Sequence, residues 1–402
     1  MNVPKQGLIN TKVETTTFAD STLTISHPTL RMEYQGRLNQ INEITGKITL
    51  AGNTFPMSIK KGKIETNRPQ EPKTPFDYSS EDLTFLNKED KITLSGTLTL
   101  PKVKGNFPVA IIISGSGPQN RDGEMFGHKP YLVIADYLTK NGIGVLRFDE
   151  RGVGKSEGIF KTATIKDFSS DINTAINYLK NRDDIKSSKI GLIGHSIGGI
   201  IAPKVASENN DVNYIILLAG PGINGDKLML SQKAALERIM GLNEMQIAQG
   251  QDLIKDAYDI IANSELDTST LKDSINSFYK HKYGNLLPED ERRTLVNQIT
   301  GHEFVSLIKS KPSIYLSKVK CPVLALNGSK DFQVPAKENL EAIKKILEEN
   351  GNKNVQTLEF KNLNHLFQES KTGVLSEYSQ IEQTISPEVL ELITDWIKEQ
   401  TK

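Results

Sequence analysis

The sequence predicts an α/β fold: a mostly parallel sheet with helices on both faces, a helical insertion, and a small β-rich domain at the N-terminal end. From residue 78 onward, apolar runs of strand length alternate with segments whose apolar residues recur at helical spacing. This alternation is typical of parallel sheets, because a parallel neighbour is reached through a crossover that is usually a helix. Residues 1–66 instead alternate apolar and polar positions with a period of two, which indicates strands alone.

Breaks in these patterns predict the domain boundaries. Three prolines within residues 69–75 predict a stiff linker at 67–77. We therefore expect an N-terminal β-rich domain at 1–66 and a larger α/β domain at 78–402. Within the larger domain, the polar and helix-rich stretch from about 225 to 316 predicts a helical cap inserted over the sheet.

Each element of the larger domain has its own signal. Its first two strands are expected to be antiparallel, at residues 83–86 and 92–100. Short apolar runs predict further strands at 109–113, 145–148, 190–193, 214–218, 323–326 and 355–360. Helical spacing predicts helices at 131–140, 168–179, 228–240, 245–262 and 337–349. A last helix begins near Pro387, since proline suits the first turn of a helix.

Composition excludes several classes of protein. Lysine plus arginine and aspartate plus glutamate each number 49, and the resulting zero formal charge argues against a nucleic-acid binder. No apolar run approaches the ~20 residues of a membrane span. Cys321 is the one cysteine, which excludes an intramolecular disulfide and a multi-cysteine metal site.

A nucleophilic serine is indicated at position 196. Residues 194–198 read Gly-His-Ser-Ile-Gly and lie between a predicted strand and a predicted helix. This is the context of the nucleophile elbow, a tight turn that exposes the serine hydroxyl and leaves no room for side chains two positions away. Gly199 would in addition allow the following helix to pack closely.

Ser196 needs a base, and the base needs a carboxylate that orients it. In folds with such an elbow the chain order is serine, acid, histidine. Asp331 and His365 each follow a predicted strand, and His365 is the one histidine after Asp331 in such a loop. Because the carboxyl ends of parallel strands meet at one edge of a sheet, we expect the three side chains to converge there. Glu359 and Glu369 flank His365 too closely in sequence to be favoured as the acid.

An oxyanion hole requires two backbone N–H groups, one after the nucleophile and one after an earlier strand. Residues 114–117 read Ser-Gly-Ser-Gly and follow the predicted strand 109–113. We assign the N–H groups of Ser116 and Ile197, with Gly117 as the fallback for the first.

A glycine-rich loop at residues 149–156 has a structural interpretation. It lacks the glycines of a phosphate-binding or dinucleotide-binding loop. We expect Asp149 and Arg151 to shape it beside the site through an internal ion pair.

These motifs together resemble the α/β-hydrolases, and among them bacterial carboxylesterases related to the serine aminopeptidase and acyl-peptide hydrolase group. The resemblance rests on residues 114–123, 127–130, 148–156 and 218–222 and covers about residues 70–402. It implies hydrolysis of small, soluble carboxylic esters through Ser196, Asp331 and His365, without a metal or organic cofactor. Relatives commonly carry glutamate after the nucleophile, where this sequence has Ile197, which affects substrate preference more than catalysis.

The resemblance also bears on the compartment. Such carboxylesterases often carry an N-terminal β domain behind an export signal, and residues 1–66 resemble only the later half of that domain. The first six residues lack a signal peptide. We therefore expect a secreted or periplasmic protein whose export signal is not part of the sequence, with a cytoplasmic protein as the alternative.

Other functions stay open at this stage. A serine peptidase, acting on aminoacyl or acyl-aminoacyl substrates, would use the same triad. It would need acidic groups to hold a free amine, for which Glu289, Asp290 and Glu291 of the cap are candidates. An acyltransferase would differ only in the acceptor that replaces water. A non-catalytic binding protein on this fold would need a broken triad.

Overall fold

The computed structural model of the protein describes residues 15–27, 32–40, 43–50, 53–60 and 67–402. Contacts divide the chain into two units. One unit comprises the described residues up to Asn67 together with Leu375–Glu382, and the other comprises Arg68–Val374 and Gln383–Lys402. Part of the β-rich domain expected at 1–66 lies outside the described residues, namely 1–14, 28–31, 41–42, 51–52 and 61–66.

The first unit contains an antiparallel sheet in which each strand pairs with the next along the chain. Its strands are β1 (Thr15–Ala19), β2 (Thr22–His27), β3 (Met32–Leu38), β4 (Glu43–Leu50) and β5 (Asn53–Lys60). The period-two pattern has its physical cause in β3, where buried Met32 and Tyr34 alternate with exposed Glu33 and Gln35. The Tyr34 hydroxyl donates to the carbonyl of Ile44 at 3.0 Å, which satisfies its polar tip.

The second unit is built around a mostly parallel sheet. Its strands are β6 (Ser79–Asn87), β7 (Ile92–Leu100), β8 (Phe107–Ile113), β9 (Gly144–Phe148), β10 (Ile185–His195), β11 (Val212–Leu218), β12 (Val323–Gly328) and β13 (Val355–Phe360). Across the sheet they run in the order β13-β12-β11-β10-β8-β9-β7-β6. Strand β7 is antiparallel to β6 and β9, and the other neighbours are parallel.

Helices cover both faces of this sheet. They are α1 (Pro130–Lys140), α2 (Ile165–Lys180), α3 (Gly198–Glu208), α10 (Ala336–Glu349) and α12 (Pro387–Gln400). In β8, Val109, Ile111 and Ile113 pack into one core with α2, α3 and α10. Ala110 and Ile112 pack into the other core, with α1 and α12. Burial on both faces explains why this strand is an unbroken apolar run in the sequence.

Between β11 and β12 the chain forms a helical cap. Its helices are α4 (Gly225–Ile239), α5 (Glu244–Asn263), α6 (Thr268–Tyr283), α7 (Glu289–Ile299), α8 (His302–Ile308) and α9 (Ser313–Leu316). The cap has an apolar core of its own, which includes Tyr258, Ile275 and Tyr279. The remaining short helix, α11 (Leu375–Tyr378), belongs to the first unit.

The predicted strands and helices of the larger domain are confirmed, with their ends displaced by a few residues. The largest displacement is at β10, which begins at Ile185 rather than at Ile190. Ile185 is buried, but the four residues between it and Ile190 are polar and mostly exposed, and a register shift separates the pairing of Ile185 from that of Ile190. An apolar run therefore could not have marked where this strand begins.

The proline-rich segment, from Arg68 onward, is part of the second unit and is bonded to other residues of that unit. The Arg68 side chain donates to the carbonyl of Gly127 at 2.8 Å. The Gln70 amide donates to the carbonyl of Ile385 at 2.7 Å and accepts the N–H of Thr384 at 2.6 Å. These bonds fix the segment to the second unit. No helix of the described residues is both long enough and apolar enough to cross a bilayer.

Candidate active site

Ser196 occupies a sharp turn between β10 and α3. Its φ of 54° lies in the left-handed region, which a non-glycine residue seldom adopts. The turn is held in part by the N–H of Ser196, which donates to the carbonyl of Leu218 at the end of the neighbouring strand, at 2.8 Å. Such strain in a fixed position is typical of functional residues.

The glycines around Ser196 are required by close backbone contacts. A Cβ atom on Gly194 would lie 2.1 Å from the carbonyl oxygen of Gly198, and one on Gly198 would lie 2.5 Å from that of Ile113. A Cβ on Gly199 would lie 2.5 Å from the Cα of Gly220, so α3 packs directly on the chain after β11. The elbow therefore excludes side chains at these positions, for the reason that the sequence motif suggests.

Asp331 and His365 meet at the edge formed by the carboxyl ends of β12 and β13. The Nδ1 atom of His365 lies 2.7 Å from Oδ2 of Asp331, and both side chains are buried. The other carboxylate oxygen of Asp331 accepts the N–H groups of Gln333 and Val334, at 2.8 and 3.0 Å. Because these bonds fix the carboxylate, it can hold the imidazole with its Nδ1–H toward Asp331 and its Nε2 free for a proton.

The loop that carries His365 is braced by neighbouring amides. Oδ1 of Asn364 accepts the N–H groups of Leu366 and Gln368, each at 3.0 Å. The Gln368 amide lies 2.9 Å from Nε2 of His128, which is fully buried. His128 belongs to the Gly-His-Lys-Pro run at 127–130, so this run supports the histidine loop from the side of α1.

His195, the residue before Ser196, contacts this pair. The ring of His195 lies 4.9 Å from the ring of His365, centroid to centroid. Among the described residues, no hydrogen bond joins the Ser196 hydroxyl to His365. The bond of the His365 ring to Asp331 uses the other ring nitrogen, Nδ1. In proteins without substrate, bonds between nucleophile and base are often long and tighten only when substrate binds.

The loop after β8 lies directly beside Ser196. A Cβ on Gly115 would lie 3.1 Å from that of Ser196. The N–H of Gly117, the fallback oxyanion donor, donates instead to Oε1 of Glu303 at 2.9 Å. Within the described chain, the N–H groups of Ser116 and Ile197 have no protein acceptor. Both groups therefore stay available to an oxygen atom of a ligand.

A cavity of about 590 Å³ opens next to this loop, beneath α8 of the cap. Its walls include Gly115, Ser116 and Ile197, which flank Ser196. In the described chain, Ser196, Asp331 and His365 are not among its lining residues. Most other walls are apolar, including Phe160, Phe168, Ile200, Ile201, Phe304 and Leu307. The volume is that of a site for a small organic molecule.

Two carboxylates in the cavity wall were not anticipated from the sequence. Glu303 stands at the start of α8, and Glu150 follows β9 and accepts the N–H of Gln119 at 2.8 Å. Glu150 is 8% exposed. Burial, assisted by the charge of Glu303, raises the pKa of Glu150 to about 8. The acidic cap residues that the sequence suggested, Glu289–Glu291, do not line the cavity in the described chain.

The raised pKa of Glu150 makes stability depend on pH. The folded protein holds this proton up to about pH 8, whereas an unfolded glutamate releases it near pH ~4.3. Because the folded state binds more protons in that range, the free energy of unfolding should fall as pH rises, by up to ~1.4 kcal/mol per pH unit. Glu150→Gln keeps the acceptor for the Gln119 N–H and removes the titration, so its stability should change less between about pH 5 and about pH 8.

Urea unfolding of both proteins across that range measures the difference. Glu291 on α7 is exposed, so Glu291→Gln serves as the control. Its free energy of unfolding should depend on pH in the same way as that of the wild type. Parallel curves for wild type and Glu150→Gln would show that Glu150 titrates normally.

The expected ion pair between Asp149 and Arg151 is wrong. Asp149 pairs with Arg121 at 2.8 Å. Arg151 instead pairs with Asp171 of α2 and with Asp90, at 2.8 and 2.7 Å. The two side chains of the motif point away from each other, so each anchors the loop to a different part of the fold. The ion pairs of the loop therefore reach outside the motif, and Glu150 of the same loop lines the cavity.

No group of His, Cys, Asp and Glu side chains among the described residues is arranged to hold a metal ion. The polar groups found here are those that acyl transfer requires: a half-buried serine in a sharp turn, a histidine oriented by a carboxylate, and two N–H groups beside the serine that have no acceptor in the described chain.

Comparison with known proteins places this geometry in context. The family model described as serine aminopeptidase, S33, matches residues 128–370, which is more than half of the chain. Esterase EstD of Thermotoga maritima is 26% identical over 292 residues, which cover 73% of this chain and 61% of that relative. This chain therefore spans less than two thirds of the length of that relative.

Two solved structures share the fold. The esterase PF2001 of Pyrococcus furiosus superimposes with a TM-score of 0.50 at 17% identity, over 85% of this chain and 100% of that chain. The alpha/beta hydrolase GrgF from a Penicillium species gives a TM-score of 0.50 at 13% identity, over 80% of this chain and 99% of that chain. At these identities the likeness concerns the fold alone.

Proposed function

This chain belongs to the family described as serine aminopeptidase, S33, and has the α/β-hydrolase fold; from that premise we propose that it hydrolyses small carboxylic esters through a Ser-His-Asp triad. Ser196 is the nucleophile, His365 the base and Asp331 the carboxylate that orients the base. The observation that carries the proposal is the buried Asp331–His365 bond of 2.7 Å, which lies at the same sheet edge as the sharp turn that carries Ser196. The esterase name of a relative with 26% identity supports the ester class.

The proposed reaction proceeds in two halves. Oγ of Ser196 attacks the ester carbonyl while Nε2 of His365 takes the hydroxyl proton. The N–H groups of Ser116 and Ile197 bind the resulting oxyanion. The tetrahedral intermediate then expels the alcohol, which receives its proton from His365, and leaves an acyl group on Ser196. In the second half His365 takes a proton from water, the hydroxide attacks the acyl carbon, and the acid leaves as Ser196 regains its proton.

The cavity beneath α8 supports a preference for acyl chains longer than acetyl. Its apolar walls begin at the proposed oxyanion loop, where the acyl group of a bound ester would lie. Each methylene buried there contributes about 0.8 kcal/mol, so binding should tighten from acetate to butyrate.

A second candidate function rests on the carboxylate of Glu303. This residue lines the cavity wall next to the proposed oxyanion loop, where it could hold the free amine of a peptide, whereas Glu150 in the same wall is uncharged below about pH 8. This arrangement would suit a serine aminopeptidase, the activity named in the family description. Lys161 lines the same cavity and opposes the charge of Glu303, which weakens this alternative.

One panel of substrates separates the two functions. We would compare p-nitrophenyl acetate, butyrate and octanoate with aminoacyl and acyl-aminoacyl anilides. The proposal expects rapid ester turnover that favours butyrate over acetate, with anilides almost untouched. Anilide cleavage at comparable kcat/KM would establish the peptidase, and no turnover of either class would contradict both functions.

A further inference from the structure

A chain of hydrogen bonds runs behind the proposed nucleophile and connects its neighbours on two sides. His195, the residue before Ser196, is 6% exposed, and its ring lies between those of Tyr131 and His365. None of these contacts follows from the Gly-x-Ser-x-Gly motif, in which this position is unspecified.

The protons of His195 follow from its partners. Its Nε2 atom lies 3.1 Å from the carbonyl oxygen of His365, which can only accept, so Nε2 carries a proton and donates. Burial, with His365 nearby, lowers the pKa of His195 to about 3, so the ring is neutral. Its Nδ1 atom is then an acceptor, and the Tyr131 hydroxyl lies 3.2 Å from it as a donor.

Tyr131 joins this ring to the proposed oxyanion loop. Its buried hydroxyl accepts the N–H of Gly115 at 3.2 Å. The hydroxyl has one proton to give, and Nδ1 of His195 and Oε1 of Gln119, at 3.0 Å, share it as acceptors. Burial raises the pKa of Tyr131 above its ordinary value, so this proton is retained.

These bonds determine the direction of one particular peptide group. The N–H of Gly115 is held by Tyr131 on one side, and the carbonyl of Ser116 is held by the Gln119 amide at 3.0 Å on the other. The peptide group between them carries the N–H of Ser116, the proposed oxyanion donor. It is thereby oriented without being used by a protein acceptor.

We propose that Tyr131 and His195 are positioning residues, which form a relay from the Gly115 N–H through the Tyr131 hydroxyl and the neutral His195 ring to the His365 carbonyl. The relay keeps two loops in a fixed relative position on either side of Ser196: the oxyanion loop at residues 114–117 and the loop that carries His365. This proposal rests on the proposed function, because the relay affects catalysis only if His365 is the base and the Ser116 N–H is an oxyanion donor. Neither Tyr131 nor His195 touches the reacting atoms.

Three substitutions separate the parts of the relay. Tyr131→Phe keeps the ring and removes the hydroxyl from Gly115 and His195. His195→Gln keeps an N–H that can reach the His365 carbonyl, and His195→Leu removes both bonds at similar size. Tyr137→Phe, on the same helix and half-buried, is the matched control for removal of a tyrosine hydroxyl.

The test measures the second-order rate at which a fluorophosphonate labels the protein, together with kcat and KM for p-nitrophenyl butyrate. In labelling, the Ser196 oxygen forms a bond to phosphorus, fluoride leaves, and the hydroxyl proton passes to His365. The rate thus depends on nucleophile, base and oxyanion donors but not on the natural substrate. Removal of one oxyanion donor costs ~10²–10³-fold in rate, so its misalignment should cost about 10-fold to 100-fold.

The relay predicts that Tyr131→Phe and His195→Leu slow both labelling and kcat by that factor, with KM within about threefold of wild type. His195→Gln should lose less than His195→Leu, and the double variant Tyr131→Phe/His195→Leu should be little slower than either single variant, because the relay acts as one unit. Tyr137→Phe should match wild type.

The proposal is overturned if the single variants label at the wild-type rate, if their losses multiply in the double variant, or if slower labelling merely follows a lower unfolding midpoint. Failure of the proposed function gives a different result. If the wild type is labelled on Ser196 but turns over no ester, the esterase proposal fails while the relay is still measured. If the wild type is not labelled at all, the nucleophile itself is wrong and both proposals fall.

Discussion

Ser196→Ala should abolish ester hydrolysis, with kcat for p-nitrophenyl butyrate reduced by about 10⁶-fold. The reason is chemical: without the Oγ atom no acyl-enzyme forms, and water must attack the ester directly. KM should change far less, because the apolar walls of the cavity are untouched by the substitution. Initial rates at matched protein concentration, with a spontaneous-hydrolysis blank, measure the loss.

A matched control lies on α3, the helix that follows Ser196. Ser207, near the carboxyl end of α3, bonds the carbonyl of Lys204 and is remote from the elbow. Ser207→Ala should retain full activity. If Ser196→Ala kept more than about a hundredth of the wild-type kcat, a nucleophile other than Ser196 would have to be sought.

Asp331→Asn should lower kcat by about 10⁴-fold at neutral pH. The side-chain oxygen of the introduced asparagine can still accept the N–H groups of Gln333 and Val334, so the loop should stay in place. Its amide group would then turn an N–H toward Nδ1 of His365. The imidazole would have to present a bare Nδ1 to that donor and carry its proton on Nε2, where it cannot take the proton of Ser196.

The rival carboxylates provide the comparison. Glu369 is exposed, and Glu359 lies exposed on β13. Glu369→Gln and Glu359→Gln should leave kcat within about twofold of wild type. The account would be contradicted if either of them cost as much as Asp331→Asn, or if Asp331→Asn lowered activity only by unfolding the protein, as judged by its thermal midpoint.

What the sequence predicts well depends on how local the signal is. The strands of the main sheet are marked by apolar runs because most are buried on both faces, as in β8. The elbow is marked by glycines that the backbone contacts themselves require, at positions 194, 198 and 199. Asp331 and His365 are 34 residues apart, yet each follows a strand of the same parallel sheet, so topology alone predicts that they meet.

What the sequence does not predict depends on side-chain direction across long separations. Glu303 reaches the oxyanion loop from 186 positions away. Tyr131 reaches His195 from 64 positions away. The expected Asp149–Arg151 pair is wrong because proximity in sequence does not determine which way two side chains of a turn point. Asp149 pairs instead with Arg121 in the loop after β8, and Arg151 pairs with Asp171 on α2.

The acyl-enzyme itself offers the most direct test of the account. The protein would be mixed with p-nitrophenyl butyrate, quenched in acid during turnover, digested, and examined by mass spectrometry for a butyryl group. The account predicts that this group is found on the peptide that contains Ser196, and that it is absent from Ser196→Ala. A butyryl group on another residue, or rapid turnover with no acylated peptide at any time, would contradict the proposed mechanism.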